Sequence, residues 1–323
     1  MRKPIKTNRP ISGAVIPRFA GISTFMRLPY VLLDHAAEID IGLIGVPWDG
    51  GTTNRAGTRH GPKQIREMSA LTRNVHHVTG VRPYELANCA DLGDVNANPV
   101  DLQDSLAEIE QFYRSVSAKG IVPLSVGGDH LLSLPVMRGI CNGRVIGMVQ
   151  IDAHTDTNAH SFGKHKYTHA TVFRRAIEEG LLDPRRIVQI GIRGSLYDAD
   201  DMDWGRDQGI RIITIEEFHD LGLSEVVRIA REIVRGDPTY LSFDIDALDP
   251  AYAPGTGTPE VGGLTTIEAQ HLLRGLRGLD LIGADVVEVS PPFDMSGNTA
   301  IVAATMIFEI LCLLTEQLKG RKR

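Results

Sequence analysis

Residues 145–161 read VIGMVQIDAHTDTNAHS. The apolar run from Val145 to Ile151 has the pattern of a buried strand. It ends in Asp152, His154 and Asp156, with His160 close behind. Desolvating one carboxylate is costly, and several crowded ionisable groups cost more. A cluster of this kind needs compensation, and the rest of the chain indicates what supplies it.

Outward from this stretch, short β-rich runs alternate with stretches of helical period. Strands are expected at 39–45, 121–126, 145–151, 187–192, 210–215, 240–244 and 281–289. Helices are expected at 64–69, 101–118, 131–138, 171–179, 224–235, 265–276 and 299–318. In the second of these helices Leu106, Ile109, Phe112, Tyr113 and Val116 recur mostly at spacings of three and four, and Gly120 supplies the stop. Alternation of strand and helix implies an α/β fold whose mostly parallel sheet is covered on both faces. Residues 1–37 read as an irregular N-terminal arm, and 38–323 as a single domain without repeat, low-complexity tract or linker.

Composition sets outer bounds. The chain has 323 residues, 42% hydrophobic and 23% charged, with a net charge of −6. The mild acidity gives no basic patch for nucleic acid and suits a cationic ligand. Cys89, Cys141 and Cys312 are scattered and odd in number, so neither a disulfide framework nor a thiolate zinc site is expected, and a reducing cytoplasm is. The basic N-terminus lacks the apolar core of a signal peptide. Residues 300–318 are strongly apolar but are interrupted by Glu309 and Glu316, which marks a core helix and not a membrane span.

In open α/β sheets, ligands collect beyond the carboxyl ends of the strands. Here each polar motif follows or ends an apolar run: SVGGDH (125–130), QIDAHTD (150–156), SFDID (242–246) and VVEVSPP (286–292). If the backbone stays extended, Asp152, His154 and Asp156 share one face, as do Asp244 and Asp246. With His130, that makes two His and four Asp at the ends of three strands. One octahedral ion could take six ligands, but two ions sharing bridging carboxylates fit the set better. Oxygen-rich donors with some imidazole favour Mn²⁺ or similar ions over structural zinc. A lone Asp at a strand end is more often a cap or turn former; three such ends in matching positions weigh against that plain alternative. His160 and His165 read as loop histidines. The glycine-rich stretches lack the order of a nucleotide-binding loop and read as tight turns.

The chain resembles the ureohydrolase (arginase–agmatinase) family through residues 45–66 (GVPWDGGTTNRAGTRHGPKQIR), SVGGDH, IDAHTDTN (151–158), HATVFRRA (169–176), SFDIDALDPAYAPGTGTPEVGGLT (242–265) and DVVEVSPPFD (285–294). Within it, the agmatinase-like branch with guanidinobutyrases and guanidinopropionases is most similar. The resemblance implies a three-layer α/β/α sandwich and two divalent ions, with Mn as first expectation and Ni as second. It implies hydrolysis of a guanidino C–N bond to urea and an amine, and a homo-oligomer, commonly a trimer or hexamer. The implied metal ligands are His130, Asp152, His154, Asp156, Asp244 and Asp246. Glu288 would pair with the substrate guanidinium, a structural ion pair being the alternative. His169 would shuttle the proton, capping or packing being the alternative. Asn158 would meet the far end of the substrate or simply form a turn.

Two departures from the family pattern bear on this. Ala170 stands where the resemblance has Gly, and the 160–168 loop (HSFGKHKYT) reads about one residue longer. The expected substrate is 4-guanidinobutyrate, a similar guanidino acid, or agmatine. The altered loop also admits guanidine or a biguanide such as metformin, with Ni²⁺. Two rival readings are a weakly active or regulatory subunit of a hetero-oligomer, and a two-metal phosphoesterase.

Overall fold

The computed structural model describes residues 8–321. In chain order its elements are β1 (Ile41–Val46), α1 (Gly61–Met68), α2 (Pro83–Leu86), β2 (Cys89–Asp94), α3 (Leu102–Ala118), β3 (Val122–Gly127), α4 (Ser133–Ile140), β4 (Ile146–Ile151) and α5 (Val172–Glu178). There follow β5 (Leu182–Ile192), α6 (Asp203–Gln208), β6 (Arg211–Thr214), α7 (Ile215–Leu221), α8 (Leu223–Val234), β7 (Thr239–Asp244), α9 (Thr266–Gly275), β8 (Leu281–Val287) and α10 (Asn298–Arg321).

The strands form one eight-stranded parallel sheet in the order β2-β1-β3-β8-β7-β4-β5-β6. The chain leaves β3, skips two places to lay down β4, and returns at the end to fill the gap with β7 and β8. The four central strands are therefore β3, β8, β7 and β4. These are the strands whose carboxyl ends carry the candidate site residues.

Side-chain alternation splits the core into two halves. Leu124, Val149, Ile151, Leu241, Phe243 and Val286 face a layer that includes Ile65 of α1, Val226 of α8, Leu272 of α9 and Ile307 of α10. Met148, Tyr240 and Val287 face the other way, onto Ile109 of α3, Met137 of α4 and Phe173 of α5. The result is the expected three-layer α/β/α sandwich. Local signals start its helices: Asp101 accepts from Asp104 N at 2.9 Å to cap α3, and Thr265 with Glu268 forms a capping box on α9.

Helix α10 is long and apolar enough to cross a bilayer, but 78% of its apolar stretch is buried within the fold. Its Glu309 is buried against Arg274 and lies 2.9 Å from His76, and Glu316 pairs with Arg277. It is a core helix whose interrupting acids are paired.

The sheet has one strand more than expected. β2 (CADLGD) is an edge strand, short and partly polar, which hides it from an apolar-run reading. Its Asp91 is buried and takes two bonds from Arg66, at 2.9 and 3.1 Å, and one from Phe25 N at 2.9 Å. That carboxylate draws the preceding segment onto the fold, where Phe25, Met26 and Leu28 lie in the core and Tyr30 bridges to Asp91. Helices α2, α6 and α7 were also outside the expected set, and β5 begins five residues earlier than the pattern suggested.

Gly128 shows how closely the loops meet at the sheet's carboxyl edge. A Cβ there would lie 2.1 Å from Trp48 O and 2.7 Å from Val46 O. Gly128→Ala is expected to destabilise the protein by about 1–3 kcal/mol through overpacking. A fall in melting temperature checks this; an unchanged value would contradict the close approach.

Candidate metal centre

The strand ends deliver their polar side chains to one place, by turns and not by continued extension. This corrects the period-two argument. After Ile151 the backbone bends, and Asp156 adopts φ +53°. Asp244 caps a short 3-10 turn, Ile245–Ala247, and its Oδ1 accepts from Asp246 N at 2.8 Å. The same device recurs at Asp152, whose Oδ1 accepts from His154 N at 2.7 Å. Asp246 Oδ1 takes Ala153 N at 3.2 Å. Each of these carboxylates is anchored through one oxygen by a main-chain donor, which fixes where the other points.

Two overlapping groups result. His130, Asp152 and Asp244 offer ligand atoms within 4.8 Å of one another, and so do Asp152, His154 and Asp246. Asp152 belongs to both. His130 Nδ1 faces Asp156 Oδ2 at 2.9 Å, Asp244 Oδ2 at 3.1 Å and Asp152 Oδ2 at 3.2 Å. His154 Nδ1 lies 3.1 Å from Asp246 Oδ2. The structure thus brings together all six residues singled out as ligands.

The electrostatics show what such a cluster demands. Burial, then repulsion from Asp246 and Asp152, pushes Asp244 well above the carboxylate range. Burial likewise raises Asp156 and Asp246. Burial opposes ionisation of Asp152 too, but the imidazoles of His130 and His154 outweigh it and hold that carboxyl well below its ordinary value. Burial would depress His130, yet Asp152, Asp156 and Asp244 hold it well above the histidine range. Protons therefore balance the carboxylates here, and divalent cations replace protons at such sites.

The donor chemistry fits cations. His130 Nε2 lies 2.8 Å from Ser242 Oγ, which donates to Asp285 Oδ1 at 2.8 Å. A hydroxyl that donates to a carboxylate is left to accept, so Nε2 is the donor to Ser242, and the proton that the carboxylates hold on the ring sits on Nδ1, where its loss to a cation leaves a lone pair. That Nδ1 is buried without a hydrogen-bond partner among the described residues. A lone pair facing carboxylate oxygens is a ligand set for a cation. Beneath it, Asp285 also accepts from Ser133 Oγ at 2.5 Å and Tyr240 OH at 2.7 Å. Gln150 donates to Asp152 Oδ2 at 2.7 Å. Ser242, Asp285 and Gln150 were missed in the sequence; the available signal was a polar residue inside an otherwise apolar strand.

Glu288 follows β8 at φ +66°, a strained conformation for a non-glycine residue. Its Oε1 accepts from His130 N at 2.8 Å and bonds His169 Nδ1 at 2.9 Å. Its Oε2 is buried and unpartnered among the described residues. A side chain at Gly257 would sit 3.5 Å from that oxygen, so the glycine keeps the space before it open. Burial opposes charge on His169, but Glu288 overrides it and raises the imidazole to about 9. His169 begins a 3-10 turn capped by Thr168.

Ala170 lies within that turn and is not among the described residues with positive φ, so this backbone has no need of the glycine. Asn158 N donates to Ala170 O at 3.0 Å, which sets Asn158 beside the His169 turn. His160 and His165 lie exposed on the loop, apart from the ligand groups.

Residues 39–313 match the model of the arginase family. The chain is 62% identical to a guanidinopropionase of Pseudomonas aeruginosa over 308 residues, covering 95% of this chain and 96% of that protein. It is 49% identical to a guanidinobutyrase of the same organism, covering 95% and 97%. Among solved structures, the proclavaminate amidino hydrolase of Streptomyces clavuligerus superposes with a TM-score of 0.87 at 40% identity, covering 94% of this chain and 99% of that one.

Ser242→Ala removes the acceptor that orients His130. It is expected to weaken metal binding about 10- to 100-fold, the usual loss for an outer-shell partner, in competition with a chelator. Unaltered affinity would contradict the role given to the Ser242–Asp285 pair.

Proposed function

The chain belongs to the arginase family and is a hydrolase of C–N bonds, and from that premise we propose a binuclear-metal enzyme that cleaves a guanidino acid to urea and an amine. The observation that carries the reading is the shared carboxylate. Asp152 joins two ligand groups, and Glu288, bonded to His130 N through Oε1, has its Oε2 unpartnered among the described residues. We assign His130, Asp152, His154, Asp156, Asp244 and Asp246 as the residues that hold the two ions. Such ions, when bound, supply a nucleophile from water at neutral pH.

The chain's own residues do the rest. Glu288 is fixed by His130 N and His169, so only Oε2 remains to receive a ligand. A planar guanidinium gives its N–H groups to such a carboxylate with charge assistance. The absence of a side chain at Gly257 leaves the space before Oε2 open to such a group. His169, protonated beside Glu288, delivers a proton to the departing amine, which otherwise leaves poorly. Asn158, whose main chain bonds the same turn, is the residue we assign to the substrate's tail. Similarity to a guanidinopropionase and a guanidinobutyrase supports a short guanidino acid as substrate. A homo-oligomer is the assembly we propose.

A urea-release screen over guanidino acids, agmatine, guanidine and biguanides, run with Mn²⁺ and with Ni²⁺, tests this. Turnover of a guanidino acid is expected. Release from another compound alone would move the substrate, and a flat result throughout would contradict the reading. His154→Ala and Asp246→Ala are expected to abolish turnover and lower metal content; two ions retained per chain would contradict the ligand assignment. Glu288→Gln is expected to lower kcat/KM on the order of a hundredfold, the worth of about 3 kcal/mol for a lost buried charge pair. A loss below a few-fold would sink its role.

A further inference from the structure

Both ring nitrogens of His169 are engaged. Nδ1 meets Glu288, and Nε2 meets Thr53 twice: the main-chain N–H at 3.2 Å and the side-chain Oγ1 at 2.7 Å. A further bond, from His169 N to Gly51 O at 3.0 Å, ties the same turn to the same loop.

The two groups at Nε2 differ in kind. A main-chain amide can only donate, so it bonds Nε2 only while that nitrogen carries a lone pair. A hydroxyl donates or accepts. With Nε2 bare, Thr53 Oγ1 donates to it. With Nε2 protonated, Oγ1 accepts from it. A residue that gains and loses a proton in each turnover needs a neighbour suited to both states, and Thr53 supplies one.

We propose that Thr53 is a positioning residue for His169: its hydroxyl accepts from Nε2–H while the ring is charged and donates to the bare Nε2 once the ring has released that proton to the amine, holding the ring on line with Glu288 in both states. This rests on His169 being the proton donor to the leaving amine.

The loop is built to present Thr53 rigidly. Asp129 accepts from Gly51 N at 2.6 Å and from Leu131 N at 3.0 Å. Asn54 Nδ2 donates to Gly257 O at 3.1 Å. A Cβ at Gly51 would lie 2.9 Å from Leu131 Cβ and 3.0 Å from Asp129 Oδ1, so the loop packs where only glycine fits. The charged groups that act on His169 are Glu288 at the end of β8, Asp129 after β3 and Asp156 after β4, and all favour the charged ring. The Thr53 N–H opposes it at Nε2.

Thr53→Val keeps the shape and the main-chain N–H but removes the hydroxyl, and Thr53→Ser restores it. Thr53→Val is expected to lower kcat about ten- to a hundredfold, a part of what acid–base catalysis supplies. KM stays within about twofold, and metal content is unchanged. The apparent pKa in the kcat profile falls, because the charged ring loses its acceptor while the neutral ring keeps the main-chain donor. Thr53→Ser is expected to recover most of kcat. A packing role alone would move the melting temperature and leave the pH profile in place. Wild-type kcat and pH profile in Thr53→Val, or no recovery in Thr53→Ser, would overturn the proposal. His169→Asn run alongside separates the two levels. If His169→Asn is impaired and Thr53→Val is not, Thr53 alone loses its role. If His169→Asn is fully active, the proton-donor reading itself fails.

Discussion

Like charges held out of water set the terms for this molecule. Asp152, Asp156, Asp244 and Asp246 are all nearly or fully buried, and three of them approach one imidazole nitrogen within 3.2 Å. Two unit charges 4 Å apart at a protein-like effective dielectric repel by about 4 kcal/mol, so such a cluster needs protons or cations at its centre. The sheet order follows from the same need. Only by inserting β7 and β8 between β3 and β4 does the chain set the three strand ends that carry the candidate ligands beside the end that carries Glu288. Helical layers on both faces then exclude water, which strengthens each of these interactions.

Support for the cluster is drawn from inside the strands. Ser242 and Asp285 stand where an apolar residue would serve the core better, and both are fully buried. They carry the hydrogen-bond chain that fixes which nitrogen of His130 faces the carboxylates. Gln189 donates to Gln150 at 2.6 Å, and Gln150 to Asp152. Asp156 and Glu288 add backbone strain, on the order of 1–3 kcal/mol for each left-handed residue. Main-chain bonds from Glu288 N to Gly128 O at 2.9 Å and from Phe173 N to Asp156 O at 3.1 Å hold them in place.

Much of this was legible in the residues themselves. The alternation of apolar runs and helical periods marked the α/β class, and the polar residues at strand ends marked the candidate ligands. The reasoning that joined Asp152 to Asp156 was faulty, because it assumed an extended backbone where the chain turns. The residues converge anyway: Asp152 and Asp244 each bind a main-chain N–H two residues on and bend the chain around themselves, and Asp156 enters through its left-handed turn. Strand β2 escaped because its burial depends on Asp91 meeting Arg66, a pairing across 25 residues that no local pattern encodes. Thr53 escaped for the same reason: it lies 116 residues from His169 in the chain, within a glycine-rich loop that read as a simple turn. Ala170 stands where the resemblance has glycine, and it is not among the described residues with positive φ, so the backbone there does not call for glycine.

Calorimetric titration of metal-free protein with Mn²⁺, beside Asp152→Asn, tests the central claim most directly. The shared carboxylate predicts two ions per chain in the native protein and weakened binding of both in the variant. A single ion, or a variant that loses one site and keeps the other at native affinity, would contradict a centre built around Asp152.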